Sequence, residues 1–204
     1  MARVVEVTVA SPNSILLSKG VTVAKYRKLE EAQDRESISD FVRNRFMERY
    51  ISPLDVPLDQ KSGFALMAIS CLMIEALESF ARGWADTNGR SELAFCSFFC
   101  RWEQFNELRP HSATFYRHFR CAILHQAETT GGWRIWRRGA LIDPKSRTLN
   151  ATLFLKRLGL VLEEYSAKLR KEHWNSDTWM CFRKKMATVC RNAEGSKVTD
   201  PNHA

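Results

Sequence analysis

An apolar run from Phe64 to Ile74 is the feature that most constrains how this 204-residue chain can fold. A helix over this run is apolar on nearly every side up to Glu75, so it must be buried almost all round. We predict a long helix from about Asp59 to Trp84, ended by Gly83 or by the Asn88-Gly89 pair. The run is too short to span a bilayer, which favours the centre of a soluble core.

The rest of the chain is also dominated by helical spacing, with apolar residues at steps of three and four. Asp34 or Ser37 can cap a helix that runs to about Tyr50 and is broken by Ser52-Pro53 and Val56-Pro57. Further helices are predicted from Ser91 to about Leu108, from His111 to about Ala127, from Asn150 to Lys171 and from Asp177 to Cys190.

Extended structure is predicted in two short regions. Residues 3–9 alternate as a strand does, and Ile15–Leu17 and Val21–Ala24 read as short extended pieces. After the fourth helix the glycine-rich stretch 129–132 forces a turn, followed by a predicted strand at 133–137 and a turn at 143–146. The predicted fold is therefore mainly α, a helical bundle with a small N-terminal β extension and a short hairpin after the fourth helix.

No boundary is strong enough to split the chain into two folded units. We expect a partly β extension at residues 1–33, one helical domain at 34–191 and a disordered tail at 192–204. No uninterrupted apolar segment follows Arg3, so no signal peptide is predicted. The six cysteines form no CxxC pair. We therefore expect a cytoplasmic protein with reduced core thiols, no cofactor and no membrane partner.

Positive charge is concentrated in two stretches of the chain. The formal net charge is +8 and the sequence pI is about 9.4. Between Pro110 and Arg147 lysine and arginine far outnumber the two acids, Glu128 and Asp143, and the excess recurs from Lys168 to Arg191. This distribution favours a polyanionic partner such as RNA.

The segment from Tyr116 to Glu128 carries the residues that point to chemistry. It places arginines and histidines at the end of an otherwise apolar helix, just before the glycine turn. Histidine exchanges protons near neutral pH, and arginine offers a charged planar fork that suits a phosphate. Arg120 and His125 together could cleave a phosphodiester without a metal, with histidine moving the proton and arginine stabilising the charge on phosphorus.

Arg120 and His125, with four residues between them, resemble the R-x4-H signature of the HEPN family. The layout is similar over residues 36–191: a buried helix with a lone acid, Glu75, then an R-x4-H helix that runs into a glycine-rich turn. The resemblance implies metal-independent RNA cleavage to 2′,3′-cyclic phosphate ends, in defence or as a toxin, with an antitoxin or regulatory partner. It also implies a homodimer in which both copies of Arg120 and His125 line one cleft.

Helix geometry fits a shared or distorted site. Residues five apart on an ideal helix point about 140° away from each other. Arg120 and His125 therefore cannot share one narrow face of a straight helix, whereas a two-chain cleft or a distorted helix end accommodates both.

Further residues are assigned supporting or RNA-binding roles. Glu75 is expected to orient Arg120, with Tyr116 and Cys121 as further supporting residues. The candidate RNA-binding residues are Arg117, His118, Gln126, Arg134, Arg137 and Arg138. The arginines after the turn alternate with Trp133 and Trp136, which is typical of strands that grip phosphates and stack on bases, or of a solvated strand with packed tryptophans.

Several alternatives stay open. His125 could be a core histidine, Arg120 a structural partner of Glu75, and Glu75 itself a partly exposed surface acid. His118, Cys121 and His125 on one helix are poorly spaced for a metal, so no metal site is predicted. Cys121 stands where many HEPN motifs carry a polar residue. This departure favours a non-catalytic HEPN module that binds RNA, a nucleotide or a protein; an unrelated helical interaction protein is the third hypothesis.

Overall fold

The computed structural model describes residue 11 and residues 13–60 and 62–195. The strand predicted at residues 3–9 and the part of the predicted tail from residue 196 onward lie outside this range, whereas residues 192 and 193 of that tail belong to the last helix. Within it the protein is mainly helical, with a small N-terminal sheet and a second small sheet after the sixth helix, as predicted.

The first unit after the N-terminal sheet is a helix that the sequence patterns did not indicate. Strands β1 (Leu16–Ser18) and β2 (Val21–Thr22) pair antiparallel, and α1 (Val23–Glu31) follows at once. The predicted extended piece at 21–24 is therefore wrong beyond Thr22. Thr22 accepts a hydrogen bond from the Lys25 N–H and caps the helix, while Val23 and Tyr26 are buried in the core.

Helix α2 (Arg35–Phe46) agrees with the prediction at its start, and helix α3 (Gly63–Arg82), which begins four residues later than predicted, agrees at its end. Helix α2 begins after Asp34, whose side chain accepts a hydrogen bond from the Ser37 N–H. It continues into a π-helical turn, Met47–Ile51, and a 3₁₀ turn, Ser52–Leu54. Helix α3 ends at Gly83 in the left-handed conformation, as predicted.

The third predicted helix is shorter than expected. Helix α4 (Ser91–Arg101) ends where Trp102 turns extended, and the chain continues as 3₁₀ helix over Glu103–His111. Buried aromatic rings explain this turn, because Phe98 and Phe105 both face the same core. The helix after it is composite: α5 (Ser112–Phe115), a π segment (Tyr116–Cys121) and α6 (Ala122–Gln126).

The second sheet contains the predicted hairpin, but with different arms. Strands β4 (Ile142–Asp143) and β5 (Thr148–Asn150) pair antiparallel around a turn in which Asp143 accepts hydrogen bonds from the Lys145 and Ser146 N–H groups. Strand β3 (Arg134–Trp136) joins β5 in parallel instead of forming a hairpin arm.

Two long helices close the fold around α3. Helices α7 (Ala151–Lys171) and α8 (Asp177–Ala193) both pack on α3, as does α4. By length and composition alone α3 could span a membrane, yet 56% of its most apolar window is buried inside the protein, as expected of a central core helix.

Candidate active site

An ion pair between Arg120 and Glu75 lies at the centre of the candidate site. The Arg120 Nε donates to Glu75 Oε1 at 2.8 Å, and the two side chains are only 17% and 13% exposed. The predicted contact between these residues is thus confirmed, and it joins the π segment to the central helix α3. Since α3 is packed on three sides, the carboxylate is a fixed anchor for the guanidinium.

The second oxygen of Glu75 is held by two hydroxyl groups that sequence reasoning did not include. Thr87 Oγ1 and Ser91 Oγ both donate to Glu75 Oε2, the latter at 3.2 Å. Ser91 Oγ also lies 3.4 Å from Arg120 Nη2. Thr87 precedes the Asn88-Gly89 turn, and Ser91 begins α4. The one sequence feature that could have pointed to these two residues was their position on either side of a predicted turn. Both carboxylate oxygens are therefore satisfied.

The guanidinium of Arg120 is kept charged and oriented. Burial alone would lower its pKa, but the hydrogen bond and the charge of Glu75 outweigh this effect and raise the pKa. The guanidinium also lies 5.7 Å from the ring centre of Tyr116, at cation–π distance. Nε and Nη2 are engaged, and the part of the group that stays exposed can meet an anion.

Tyr116 and Cys121 pack beside the ion pair. The Tyr116 ring lies 5.8 Å from that of Phe95 in the core. Burial, followed by the neighbouring Cys121 thiol, raises the pKa of Tyr116, so the phenol stays protonated at neutral pH. Beneath them burial raises the pKa of the Cys71 thiol, which leaves Cys71 an inert core group.

His125 differs from Arg120 in its surroundings. It is exposed in the last turn of α6, which ends at Ala127 in the left-handed conformation. Among the described residues it forms no hydrogen bond with Arg120, whose partners are Glu75 and Ser91. The reading of His125 as a core histidine is wrong, because the side chain faces solvent.

The helix that carries Arg120 and His125 is distorted. A distorted helix end was one of the two arrangements expected to accommodate two residues that are five apart. The π segment inserts a wider turn directly at Arg120. Such turns are uncommon and often occur at functional sites. Here the wider turn carries Phe119 to a fully buried position while its neighbour Arg120 reaches Glu75.

His118 serves the glycine turn. Its Nδ1 lies 2.9 Å from Thr130 Oγ1, and its backbone carbonyl accepts the Thr130 N–H. Its ring is packed against Gly131 so closely that a Cβ there would lie 2.7 Å from the imidazole. Burial and the charges of Arg117 and Arg147 lower the pKa of His118, so it is neutral at pH 7. This packing favours a structural role over the predicted RNA contact.

The predicted RNA-binding residues divide into exposed and structural groups. Arg117, Gln126, Arg134 and Arg138 are exposed. Arg137 instead donates to the carbonyls of Val56, Pro57 and Gln60 and to the Thr152 hydroxyl. The prediction that Arg137 contacts phosphate is corrected, because its donors are already bonded to the 56–60 loop and to Thr152.

The two tryptophans of this region also have different roles. Trp133 is buried and its ring lies 5.4 Å from that of Phe119, whereas Trp136 is 52% exposed. Only Trp136 is available to stack on a base. The exposed basic and aromatic surface here consists of Trp136, Arg134 and Arg138. It is smaller than the alternation of arginine and tryptophan in the sequence suggested.

Much of the second basic stretch is also engaged within the protein. Arg170 pairs with Asp40, Lys168 pairs with Glu172, and Lys185 donates to the Ala85 carbonyl. Arg183 stacks on Trp174. These side chains are engaged by partners within the protein, so they contribute less to a phosphate-binding face than their number implies.

Among the residues that the structure describes, no group of three or more histidine, cysteine or acidic side chains is placed to hold a metal ion. Comparison with models of known protein families, with curated proteins and with solved structures finds no significant match to this chain. The geometry around Arg120 therefore carries the functional argument alone.

Proposed function

We propose that this protein is a metal-independent endoribonuclease of the HEPN type that acts as a cytoplasmic homodimer in defence or as a toxin. The observation that carries the proposal is a permanently charged guanidinium, oriented by Glu75 and partly exposed, five residues before a solvent-facing histidine. Both groups that the reaction needs are present, and Arg120 is oriented for its task by Glu75.

The reaction follows from the chemistry of these groups. The 2′-hydroxyl of RNA attacks the adjacent phosphorus, a 2′,3′-cyclic phosphate forms, and the bond to the 5′ oxygen breaks. His125 takes the proton of the attacking hydroxyl or supplies one to the leaving oxygen. Arg120 neutralises the additional negative charge on phosphorus.

Exposed leucines support a dimer through this face. Leu72, three residues before Glu75 on α3, is 44% exposed, and Leu124, four residues after Arg120, is 39% exposed. Residues three or four apart lie side by side on a helix, so these leucines flank the ion pair. A second copy seated on them would bury apolar surface and bring another His125 toward Arg120.

Cleavage of single-stranded RNA by the purified protein in excess EDTA tests the proposal. We expect 2′,3′-cyclic phosphate products, and we expect Arg120→Ala and His125→Ala each to lower the rate by a factor of about 100 or more. His173→Ala is the matched control, because His173 is an exposed histidine outside this helix. Undiminished cleavage by the His125 variant would exclude the assignment.

A non-catalytic HEPN module is the second candidate. The observation that favours it is the engagement of Arg120 Nε and Nη2 within the protein, together with Cys121 beside them. Such a module would bind RNA, a nucleotide or a regulatory protein such as an antitoxin through the same face. Salt-sensitive RNA binding without product formation, equal in wild type and His125→Ala, would identify it.

A further inference from the structure

A cavity lies between the two irregular turns that follow α2 and the long helix α7. Its volume is about 420 Å³, and most of the residues that line it are apolar. Leu66 and Leu155 belong to the buried core and form its floor, whereas Leu160 at its edge is 57% exposed. Small-molecule sites typically have volumes of roughly 300–1,000 Å³. The cavity is therefore large enough to hold a small organic ligand.

Two irregular features of the backbone border this space. One wall is the π-helical turn Met47–Ile51, and such turns are uncommon and often occur at functional sites. Across from it Gly159 lies in the interior of α7, where glycine is unfavourable relative to alanine. A Cβ added at Gly159 would meet Ile51 Cδ1 at 3.8 Å, which is an ordinary contact. Packing therefore does not require glycine here, and the missing side chain leaves room in the cavity.

The charged residues around the cavity leave an excess of positive charge. Glu163 is neutralised by Arg43, whose Nη2 lies 2.7 Å from it. Arg137 donates only to carbonyl and hydroxyl groups, so no carboxylate cancels its charge. Lys156 is exposed and has no acidic partner among the residues that the structure describes. Two cations thus stand against one unpaired acid, Asp55, and the balance favours an anionic ligand over a cationic one.

We propose that this cavity binds an apolar carboxylic acid with an alkyl chain of medium length. The alkyl chain lies against Leu66 and Leu155, and the carboxylate meets Lys156 at the exposed edge. The flexible stem of lysine lets the ammonium group reach the ligand. The cavity shares no residue with the Arg120 network, so the inference goes beyond the nuclease proposal and its test uses no RNA.

Calorimetric titration of the full chain with sodium decanoate, below its micellar concentration, tests the site. We expect saturable binding of one decanoate per chain and a rise in the melting temperature. Octanoate should bind about tenfold more weakly, because two fewer CH₂ groups are buried. Decyltrimethylammonium has the same alkyl chain with the opposite charge and should bind at least about tenfold more weakly than decanoate.

Three variants connect the binding to the cavity. Gly159→Leu places a side chain in the space and should abolish decanoate binding, while the higher helix propensity of leucine keeps α7 folded, which circular dichroism checks. Lys156→Met should lower decanoate affinity about fivefold and leave the affinity for uncharged 1-decanol unchanged. Lys171→Met is the matched control, because Lys171 is an exposed lysine of the same helix outside the cavity, and it should change neither affinity.

Two sets of results would overturn the inference. Decanoate binding that does not saturate, or that Gly159→Leu leaves unchanged, would mean that the amphiphile adsorbs to apolar surface and does not occupy the cavity. Equal decanoate affinity in wild type and Lys156→Met, or tighter binding of decyltrimethylammonium than of decanoate, would contradict a carboxylate ligand.

Discussion

At the scale of single residues, Arg120 is defined by the groups that hold it. One oxygen of Glu75 accepts from its Nε, and the other oxygen is occupied by Thr87 and Ser91. The guanidinium is therefore oriented without any bound ligand. A side chain prepared in this way loses little conformational freedom when it meets a phosphate.

Glu75→Gln tests the energy of this network. We expect the free energy of unfolding to fall by about 2 kcal/mol, because a partly buried charge loses its counter-charge. Urea denaturation measures the loss. Glu107→Gln is the control: Glu107 also binds an arginine, Arg157, but is 52% exposed, so its loss should stay below about 1 kcal/mol. Equal losses for the two variants would contradict a special role for the Arg120 pair.

At the scale of elements, the π segment and the glycine turn together present the candidate site. The π segment buries Phe119 and turns Arg120 toward α3, while His118 in the same segment packs on the turn. Gly131 lies at φ +65°, where residues with a Cβ are disfavoured, and a Cβ added there would lie 2.7 Å from the His118 ring. The turn thus requires glycine for two separate reasons.

Gly131→Ala separates these reasons when it is compared with Gly89→Ala. Gly89 has nearly the same backbone angle, φ +68°, but a Cβ added there would meet nothing within 4 Å. Gly89→Ala should cost about 1–2 kcal/mol from backbone conformation alone. Gly131→Ala should cost at least about 1 kcal/mol more, because the methyl group displaces His118. Equal melting temperatures for the two variants would contradict the packing argument.

At the scale of the whole molecule, Arg137 connects parts that are distant in sequence. From the end of β3 it reaches three carbonyls of the 56–60 loop and the first turn of α7 at Thr152. It thereby ties the sheet to the entry of the central helix and to one of the helices that pack on it. Its neighbour Arg138 is exposed and takes no part in this connection.

The adjacent arginines are expected to separate stability from RNA binding. Arg137→Ala should lower the free energy of unfolding by about 2–3 kcal/mol, since several hydrogen bonds from a charged donor are lost. Arg138→Ala should change stability by no more than about 0.5 kcal/mol. It should instead weaken RNA binding and reduce the salt dependence by roughly one phosphate contact. Denaturation and binding at several salt concentrations check both; a reversed pattern would contradict this division.

Local patterns were sufficient for most helices, and the family resemblance for one contact of the site. The three- and four-residue spacing predicted α2, α3, α7 and α8, because a helix that packs on a core needs one continuous apolar face. The resemblance to the HEPN layout led us to expect Glu75 as the partner of Arg120, and the two side chains form an ion pair. The helix predictions depend only on residues that lie near each other in the sequence.

Other features were decided by tertiary contacts. The sequence by itself determined the helical class and the central helix, and its resemblance to the HEPN layout indicated the Arg120–Glu75 pair. Only the folded chain decided that Arg137 binds carbonyls 77 to 81 residues away and that the His118 ring packs against Gly131. The reason is physical. The periodicity of apolar residues shows which side of a helix or strand is buried. The partner of a polar side chain depends instead on the packing of the whole chain, which brings a distant backbone group or ring within reach.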